Sequence, residues 1–197
     1  MPPPISRRAS GIEPFYVMEV VKEAERLAAS GRSIIHLSIG EPDFTAPPAV
    51  RQAAQRAIEA GTTRYTPALG IDSLRQAIAQ DYARRLGQDV SPGRIVVTAG
   101  ASGALLLALA GLLERRRHVL LPDPSYPCNR HFAAVIEAGA RLFACGPETR
   151  FQPTAPMVDE AWSAETAGVL LASPSNPTGT TIEPAALAAI AGVVRNR

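Results

Sequence analysis

The stretch HVLLPDPSYPCNRHFAAVIEAGARLFAC, residues 118 to 145, gives the clearest indication of the fold class. It contains an apolar run at 118–124, a segment of helical composition at 127–139 and a second apolar run at 140–145. Short apolar strands that alternate with helices are typical of a parallel sheet with helices on both faces. We therefore predict an α/β fold in which this stretch supplies two strands and the helix between them.

The same alternation extends in both directions along the chain. Further strands are predicted at 33–40, 94–100 and 167–173. Helices are predicted at 15–30, from about Pro48 to Ala60, from a cap at Asp72 or Ser73, at 101–114, around 159–166 and from about Pro184. The Pro-rich segment 146–158 is predicted to be surface loop that leads into a short helix.

The composition is that of a globular protein, with 46% hydrophobic and 19% charged residues in a chain of 197. The net charge of +2 gives no reason to expect a nucleic-acid or membrane-surface partner. Cys128 and Cys145 are too few and too far apart for a zinc site or a disulfide framework, so no metal is predicted. The arginine-containing N-terminus lacks the apolar segment of a secretion signal, and no apolar run is long enough to span a membrane. A reduced, cytoplasmic setting is the expectation.

Ligands of open parallel sheets bind beyond the carboxyl ends of the strands, and three predicted strand ends carry suitable residues. After the strand at 94–100, the small residues Gly100, Ala101 and Ser102 open a helix. Backbone N–H groups and the helix dipole favour an anion such as phosphate at this position. Small residues in such a turn also serve packing alone, and the sequence matches neither the dinucleotide-binding fingerprint nor the Walker A motif.

The other two strand ends carry an aromatic ring and an amide. Tyr126, held between two prolines, presents its ring either to a planar ligand or as cover for the edge of the sheet. In SPSNPTGT, residues 173–180, Pro174 and Pro177 restrict the backbone on both sides of Asn176. The side chain of Asn176 is both a hydrogen-bond donor and an acceptor.

These motifs in this order, together with SIGEPDF (38–44) and RYTPALG (64–70), resemble the class I/II aminotransferases, which are pyridoxal-phosphate enzymes of fold type I. The resemblance runs from about residue 12 to the end of the chain. It implies the large domain of that fold, with three α/β/α layers and a mostly parallel sheet. Residues 1–45 would form an N-terminal arm and small-domain segment, and residues 46–197 the first part of the cofactor-binding large domain.

The resemblance implies a role in cofactor binding for each strand-end motif. Backbone N–H groups around Gly100, Ala101 and Ser102 would hold the phosphate of pyridoxal phosphate. Tyr126 would stack on the pyridine ring, and Asn176 would donate a hydrogen bond to the phenolic oxygen of the ring. Such a donor stabilises the ionised oxygen and so tunes the cofactor as an electron sink.

The resemblance also implies residues that face the substrate and a second subunit. Gly40 would lie against the substrate carboxylate, and Phe15 and Tyr16 would line the substrate side. Phe15 and Tyr16 fit equally well as the packing face of an N-terminal helix. Tyr65 resembles the tyrosine that reaches the cofactor phosphate of the neighbouring subunit, which implies a homodimer with shared active sites.

The family's catalytic residues have no counterpart in this sequence. In the family, the lysine that forms the Schiff base, the aspartate that pairs with the pyridine nitrogen and the arginine that clamps the substrate carboxylate all follow the NPTG motif. The single lysine, Lys22, lies among Glu19, Glu23 and Glu25 in a pattern typical of a solvated helix face. We therefore expect this chain to be the N-terminal half of an aminotransferase of amino-acid metabolism or biosynthesis, inactive alone and without a catalytic residue of its own.

Three other interpretations stay open at this stage. A pyridoxal-phosphate C–S lyase of the same fold shares the N-terminal motifs. An aminotransferase-like sensor domain of a transcription regulator is a non-enzymatic alternative, although only about a dozen residues precede the resemblance, too few for a DNA-binding module. A different α/β nucleotide-binding protein could use residues 100–103, but that reading leaves the NPTG and RYTPALG motifs unexplained.

Overall fold

A computed structural model describes residues 3–197. The chain forms two compact units. One unit comprises the residues up to Phe15 together with Ser102–Arg197, and the other is Tyr16–Ala101. The predicted division into residues 1–45 and 46–197 is not decided by these units and stays a prediction.

The secondary structure alternates between helices and short strands. In chain order the helices are α1 (Arg7–Ser10), α2 (Tyr16–Ala29), α3 (Pro48–Glu59), α4 (Asp72–Leu86), α5 (Gly100–Leu112), α6 (Cys128–Val135), α7 (Ala155–Ala161) and α8 (Pro184–Arg195). The strands are β1 (His118–Asp123), β2 (Gly139–Ala144) and β3 (Thr166–Val169), and short 3₁₀ turns occur at Pro92–Arg94 and Pro147–Thr149.

The sheet has the order β2-β1-β3, and both pairs of strands are parallel. Leu121 of β1 lies opposite Leu142 of β2, and His118 of β1 lies opposite Thr166 of β3. The central strand β1 has four consecutive buried residues, as expected for a parallel strand covered on both faces. The parallel sheet predicted from residues 118–145 is therefore confirmed.

Each face of β1 packs against a different set of helices. Val119 and Leu121 contact Leu109 of α5 and Ala133 of α6 on one face. Leu120 is fully buried on the other face, where it packs with Val158 and Ala161 of α7 and Ile190 of α8. Burying a side chain of this size stabilises the fold by about 1.5–3 kcal/mol. The two clusters give the predicted three layers, with the sheet in the middle.

Two of the predicted strands are wrong. Residues 33–40 and 94–100 take part in no strand ladder among the described residues. A strand needs a row of hydrogen bonds to a neighbour, whereas in the second segment the Val97 N–H donates a single bond to the Leu69 carbonyl, at 3.0 Å. Ile35 and Leu37 of the first segment are exposed and Val97 of the second is half-buried, so these apolar residues do not belong to the sheet core.

The region between β2 and β3 also differs from the prediction. The helix expected around 159–166 is α7, which lies earlier because Pro156 falls in its first turn, where a proline is favourable. The segment 146–158 is not simply surface loop, since Gln152 and Pro153 are buried. The strand predicted at 167–173 ends at Val169, although the Leu170 N–H still donates to the Leu120 carbonyl at 3.0 Å.

The unit Tyr16–Ala101 contains α2, α3 and α4 and has no strand. Helix α4 begins after Ile71, and Asp72, predicted as a candidate cap, lies in its first turn instead. The guanidinium of Arg75 ties α4 to the following segment, because it donates to the Pro92 carbonyl at 2.7 Å and to the Ile95 carbonyl at 3.0 Å. This side chain is only 13% exposed, so its bonds replace water that it has lost.

Candidate cofactor site at the carboxyl ends of the strands

Tyr126 lies just beyond the carboxyl end of β1 and is half-buried. A hydrogen bond with Cys128, and then burial, raise the pKa of its phenol above the ordinary value. The Phe15 and Tyr126 rings are in contact, with centroids 5.9 Å apart and planes at 78°. This edge-to-face arrangement is favourable for aromatic pairs and fixes how the Tyr126 ring is presented.

Phe15 lies directly before α2, which begins at Tyr16. Its role on the substrate side stays a prediction. The structure brings Phe15 to Tyr126, which is consistent with the predicted position near a bound planar group. Tyr16 is the first residue of α2 and its side chain is 66% exposed.

The loop 173–180 follows β3, the strand next to β1, so it leaves the same edge of the sheet as Tyr126. Asn176 is exposed at its tip, whereas Ser175 is buried beneath it. The Gly179 N–H donates to the Ser175 carbonyl at 2.7 Å, and the Ser175 N–H donates to the Thr180 carbonyl at 2.8 Å. The loop is thus closed on itself and presents the Asn176 amide outward.

The peptide bonds before three prolines at these strand ends are cis, namely Asp123–Pro124, Ser173–Pro174 and Asn176–Pro177. They occur in the two segments that carry Tyr126 and Asn176.

The start of α5 has the features of an anion site. Gly100 has φ +77°, a left-handed conformation that favours glycine, and a Cβ there would meet nothing within 4 Å. The first N–H groups of a helix have no intrahelical partner, and here they belong to Ala101 and Ser102, both exposed. No acidic residue lies in the first turn of α5. The dipole of this 13-residue helix is therefore free to favour an anion at its N-terminus.

Two predicted site residues lie in the unit Tyr16–Ala101. Gly40 is exposed, and open space surrounds the position that a Cβ would take. The side chain of Tyr65 is fully exposed. Their roles toward a substrate carboxylate and a second subunit remain predictions.

Lys22 has the setting expected of a helix surface. Its ammonium forms an ion pair with Glu19 at 2.7 Å, and its side chain is 68% exposed. A lysine that attaches a cofactor needs a desolvated site that lowers its pKa. The surroundings of Lys22 do not provide one.

Gln152 is the residue at this edge of the sheet that the sequence did not reveal. It is 7% exposed, and its side-chain amide donates to the backbone carbonyl of Thr180 at 2.7 Å and to the Thr180 hydroxyl at 2.9 Å. It occurs in a Pro-rich stretch without periodicity, so no local pattern indicated that it is buried. The only sign in the sequence was that this amide stands between two apolar residues, Phe151 and Pro153.

Two kinds of feature are absent from residues 3–197. No group of three histidine, cysteine, aspartate or glutamate side chains is placed to hold a metal ion. No helix in this part of the chain is both long and apolar enough to cross a membrane.

Residues 32–197 match the family model described as aminotransferase class I and II. The valine–pyruvate aminotransferase of Mycobacterium tuberculosis is 45% identical over 183 residues, which are 92% of this chain and 47% of the relative. The aspartate/prephenate aminotransferase of Cereibacter sphaeroides is 36% identical over 195 residues, or 96% of this chain and 48% of that one. The chain therefore spans about half the length of the curated relatives it matches.

Solved structures give the same result for the fold. The crystal structure of an aminotransferase from Mycobacterium tuberculosis superimposes with a TM-score of 0.93 at 42% identity, covering 98% of this chain and 50% of the other. Aspartate aminotransferase from Thermus thermophilus with maleate gives a TM-score of 0.93 at 30% identity, covering 98% and 51%. With the family model matched over most of its length, this chain belongs to the class I and II aminotransferases.

Proposed function

We propose that the whole protein, of which this chain is the N-terminal half, is a pyridoxal-phosphate-dependent aminotransferase. It moves an amino group between an amino acid and a 2-oxo acid. The observation that supports this most directly is that Tyr126 and Asn176 follow adjacent parallel strands and leave the same edge of the sheet. A planar, phosphorylated ligand with a polar ring substituent matches the ring and the amide found there.

The residues present fit this cofactor. Its phosphate needs N–H donors and positive potential, which the backbone of Ala101 and Ser102 supplies behind the open turn at Gly100. Its ring needs a flat aromatic neighbour, the role of Tyr126. Its phenolic oxygen needs a donor, and the exposed amide of Asn176 has one to offer.

Each of these residues acts on the bound cofactor in a definite way. Pyridoxal phosphate supplies an electron sink for the carbon that carries the amino group of the substrate. Asn176 donates a hydrogen bond to the phenolic oxygen and so favours its ionised form. Tyr126, in contact with the Phe15 ring, limits the tilt of the cofactor ring. Ala101 and Ser102 fix the opposite end of the molecule through its phosphate.

The remaining predicted residues complete this proposal. Gly40 leaves room for the substrate carboxylate, and Phe15 and Tyr16 line the substrate side. Tyr65, with its fully exposed ring, reaches the cofactor phosphate of a second copy, so that the enzyme is a homodimer with shared active sites. We place the enzyme in the cytoplasm, in amino-acid biosynthesis.

The name of the 45% identical relative suggests the first substrates to test, valine and pyruvate. Transfer of the amino group between them gives 3-methyl-2-oxobutanoate and alanine. The whole protein, loaded with pyridoxal phosphate, should form both products in equal amounts. A panel of other amino acids with pyruvate or 2-oxoglutarate then defines the specificity.

The same assay separates transamination from lyase chemistry. A C–S lyase releases ammonia and pyruvate from a sulfur-containing amino acid and needs no 2-oxo acid. Product formation that requires a 2-oxo acid and releases no ammonia supports the proposal, and the opposite pattern overturns it.

The 197-residue chain alone provides a further check on the missing lysine. After incubation with pyridoxal phosphate and reduction with borohydride, we expect no cofactor covalently attached to the chain. Attachment at Lys22 would overturn the expectation that the catalytic lysine lies elsewhere.

A further inference from the structure

Gln152 forms a buried brace between two segments that are distant in sequence. It lies between β2 and α7, and its side-chain amide donates two hydrogen bonds to Thr180, 28 residues further along the chain. Because the side chain is 7% exposed, water cannot replace these bonds when they are lost. A buried amide with both bonds to one residue is therefore suited to hold that residue in place.

One of the two bonds from Gln152 ends on the Thr180 carbonyl, which also accepts the hydrogen bond that closes the Asn176 loop. The Thr180 carbonyl accepts one bond from Gln152 at 2.7 Å and another from the Ser175 N–H at 2.8 Å. The Thr180 hydroxyl bonds both Gln152 at 2.9 Å and the Thr178 hydroxyl at 2.9 Å. Gln152 thus fixes the base of the loop from below, while Asn176 remains exposed at its tip.

The far side of the loop is fixed independently. The Ile182 N–H donates to the Ser173 hydroxyl at 3.0 Å, and Ile182 is buried. Loss of Gln152 would therefore loosen the residues between Ser175 and Thr180 without detaching the loop from the unit. The effect of a substitution should be felt mainly at Asn176.

We propose that Gln152 is a positioning residue that sets the direction of the Asn176 amide toward the phenolic oxygen of the cofactor. This rests on the proposed function, because it assigns Gln152 to the same cofactor site. Gln152 does not touch the cofactor and acts through Thr180 and the closed loop. Its removal should weaken the bond from Asn176 and so raise the pKa of the bound chromophore.

The test uses the whole protein and three variants. Gln152→Met keeps the volume and removes both donors, and Thr180→Val removes only the hydroxyl partner. Gln55→Met is the matched control, since Gln55 is an exposed residue of α3. If Gln152→Met does not fold, Thr180→Val carries the test, with a smaller effect in the same direction.

Hydrogen exchange of the cofactor-free protein measures whether Gln152 holds the loop, independently of cofactor binding. In Gln152→Met the amides of Ser175 and Gly179 should exchange about five- to tenfold faster, whereas Gln55→Met should leave them unchanged. Unchanged exchange at these amides in Gln152→Met overturns the brace, whether or not the protein binds pyridoxal phosphate.

A pH titration of the visible absorption of the bound cofactor measures whether Gln152 positions the Asn176 amide. We expect Asn176→Ala to raise the pKa of the chromophore by about 1 and Gln152→Met by about 0.5. If Gln152 acts through Asn176, adding Gln152→Met to Asn176→Ala should cause no further change. The positioning role is overturned if Gln152→Met speeds exchange in the loop but leaves the pKa of the chromophore unchanged. It is also overturned if Gln152→Met changes this pKa equally in the wild-type protein and in the Asn176→Ala background. A wild-type protein with no cofactor band overturns the proposed function and this role with it, while the exchange data still report the brace.

Discussion

The two compact units differ in how they bury their apolar side chains. Among residues 3–197, every buried side chain lies in the strand-containing unit, within residues 102–197. In the unit Tyr16–Ala101, large apolar side chains such as Leu37 and Phe44 are exposed, at 89% and 76%. A sheet with helices on both faces closes a core by itself, whereas helices and irregular segments leave their apolar faces open until something packs on them.

Local order has a different origin in each unit. In the strand-containing unit, order comes from apolar packing around β1. In the unit Tyr16–Ala101, it comes from backbone geometry and a few polar contacts, such as those of Arg75 and the approach of Gly70 to Val97. Truncating an apolar side chain should therefore lower the free energy of unfolding most in the strand-containing unit. The unit Tyr16–Ala101 should be more sensitive to changes at Gly70 and Arg75.

The largest effect is expected for Leu120→Ala in the 197-residue chain. This residue is fully buried between β1 and helices α7 and α8, so truncation leaves a cavity and should lower the free energy of unfolding by about 2–5 kcal/mol. Leu37→Ala, at an 89% exposed position, should change it by less than about 0.5 kcal/mol. Urea denaturation followed by circular dichroism measures both, and equal losses would contradict the contrast between the units.

Gly70→Ala should have the next largest effect. Gly70 has φ +98°, and an added Cβ would come within 2.6 Å of Val97 Cγ2 and 2.8 Å of Val97 Cβ. The strained backbone and the clash together should cost about 2–4 kcal/mol of unfolding free energy. The control is Gly179→Ala, with φ +68° but open space around the Cβ, which should cost only about 1–2 kcal/mol. A Gly179→Ala loss larger than that of Gly70→Ala would show that the approach to Val97 does not matter.

Arg75→Met should weaken the unit Tyr16–Ala101 by about 1–3 kcal/mol, because the carbonyls of Pro92 and Ile95 lose a charged donor. Arg84→Met is the matched control on the same helix. The Arg84 side chain is 78% exposed and paired only with Asp81, so its loss should leave the unfolding free energy unchanged. Chemical denaturation of the two variants side by side is the measurement, and a similar result for both would refute the bridging role of Arg75.

The smallest effect is a pH dependence in the strand-containing unit. Burial, and next the positive charge of Arg141, hold the pKa of His118 below its ordinary value, while its ring bonds the Thr166 hydroxyl at 2.7 Å. The unfolded chain therefore binds a proton more readily than the folded one. Stability from this group is complete above the unfolded pKa of about 6.5 and declines as pH falls below it toward the folded pKa.

The measurement is the free energy of unfolding from pH 7.5 to 5 for the wild-type chain and for His118→Gln. The variant should lose less stability on acidification than the wild type, because it lacks the imidazole that binds a proton more readily in the unfolded chain. A parallel decline in the two proteins would mean that His118 titrates alike in the folded and unfolded states.

The sequence predicted the elements that form the core more accurately than the rest. The apolar runs at 118–124 and 140–145 became β1 and β2 with ends shifted by one residue. Burial on both faces explains the continuous apolar signal of β1, whereas β2 has no buried residue. The runs at 33–40 and 94–100 are also rich in apolar residues but belong to no ladder among the described residues. Strand pairing depends on distant residues that no local pattern specifies.

Site residues whose roles depend on distant parts of the chain were likewise not predicted from the sequence. Asn176 and Tyr126 were predicted because prolines and strand ends are local signals that can be read from SPSNPTGT and PDPSYP. Gln152 was missed because its role depends on Thr180, 28 residues away in the chain. The contact between Phe15 and Tyr126 likewise joins the two ends of one unit and could not be derived from spacing.

The central claim is that these strand ends hold pyridoxal phosphate for amino-group transfer. The most direct measurement is the absorption spectrum of the whole protein loaded with pyridoxal phosphate, with valine added alone and pyruvate added afterwards. Valine should change the spectrum of the bound cofactor completely, with release of one equivalent of 2-oxo acid and no ammonia. Pyruvate should then restore the original spectrum. A protein that binds no pyridoxal phosphate, or whose bound cofactor is unchanged by every amino acid tested, would contradict it.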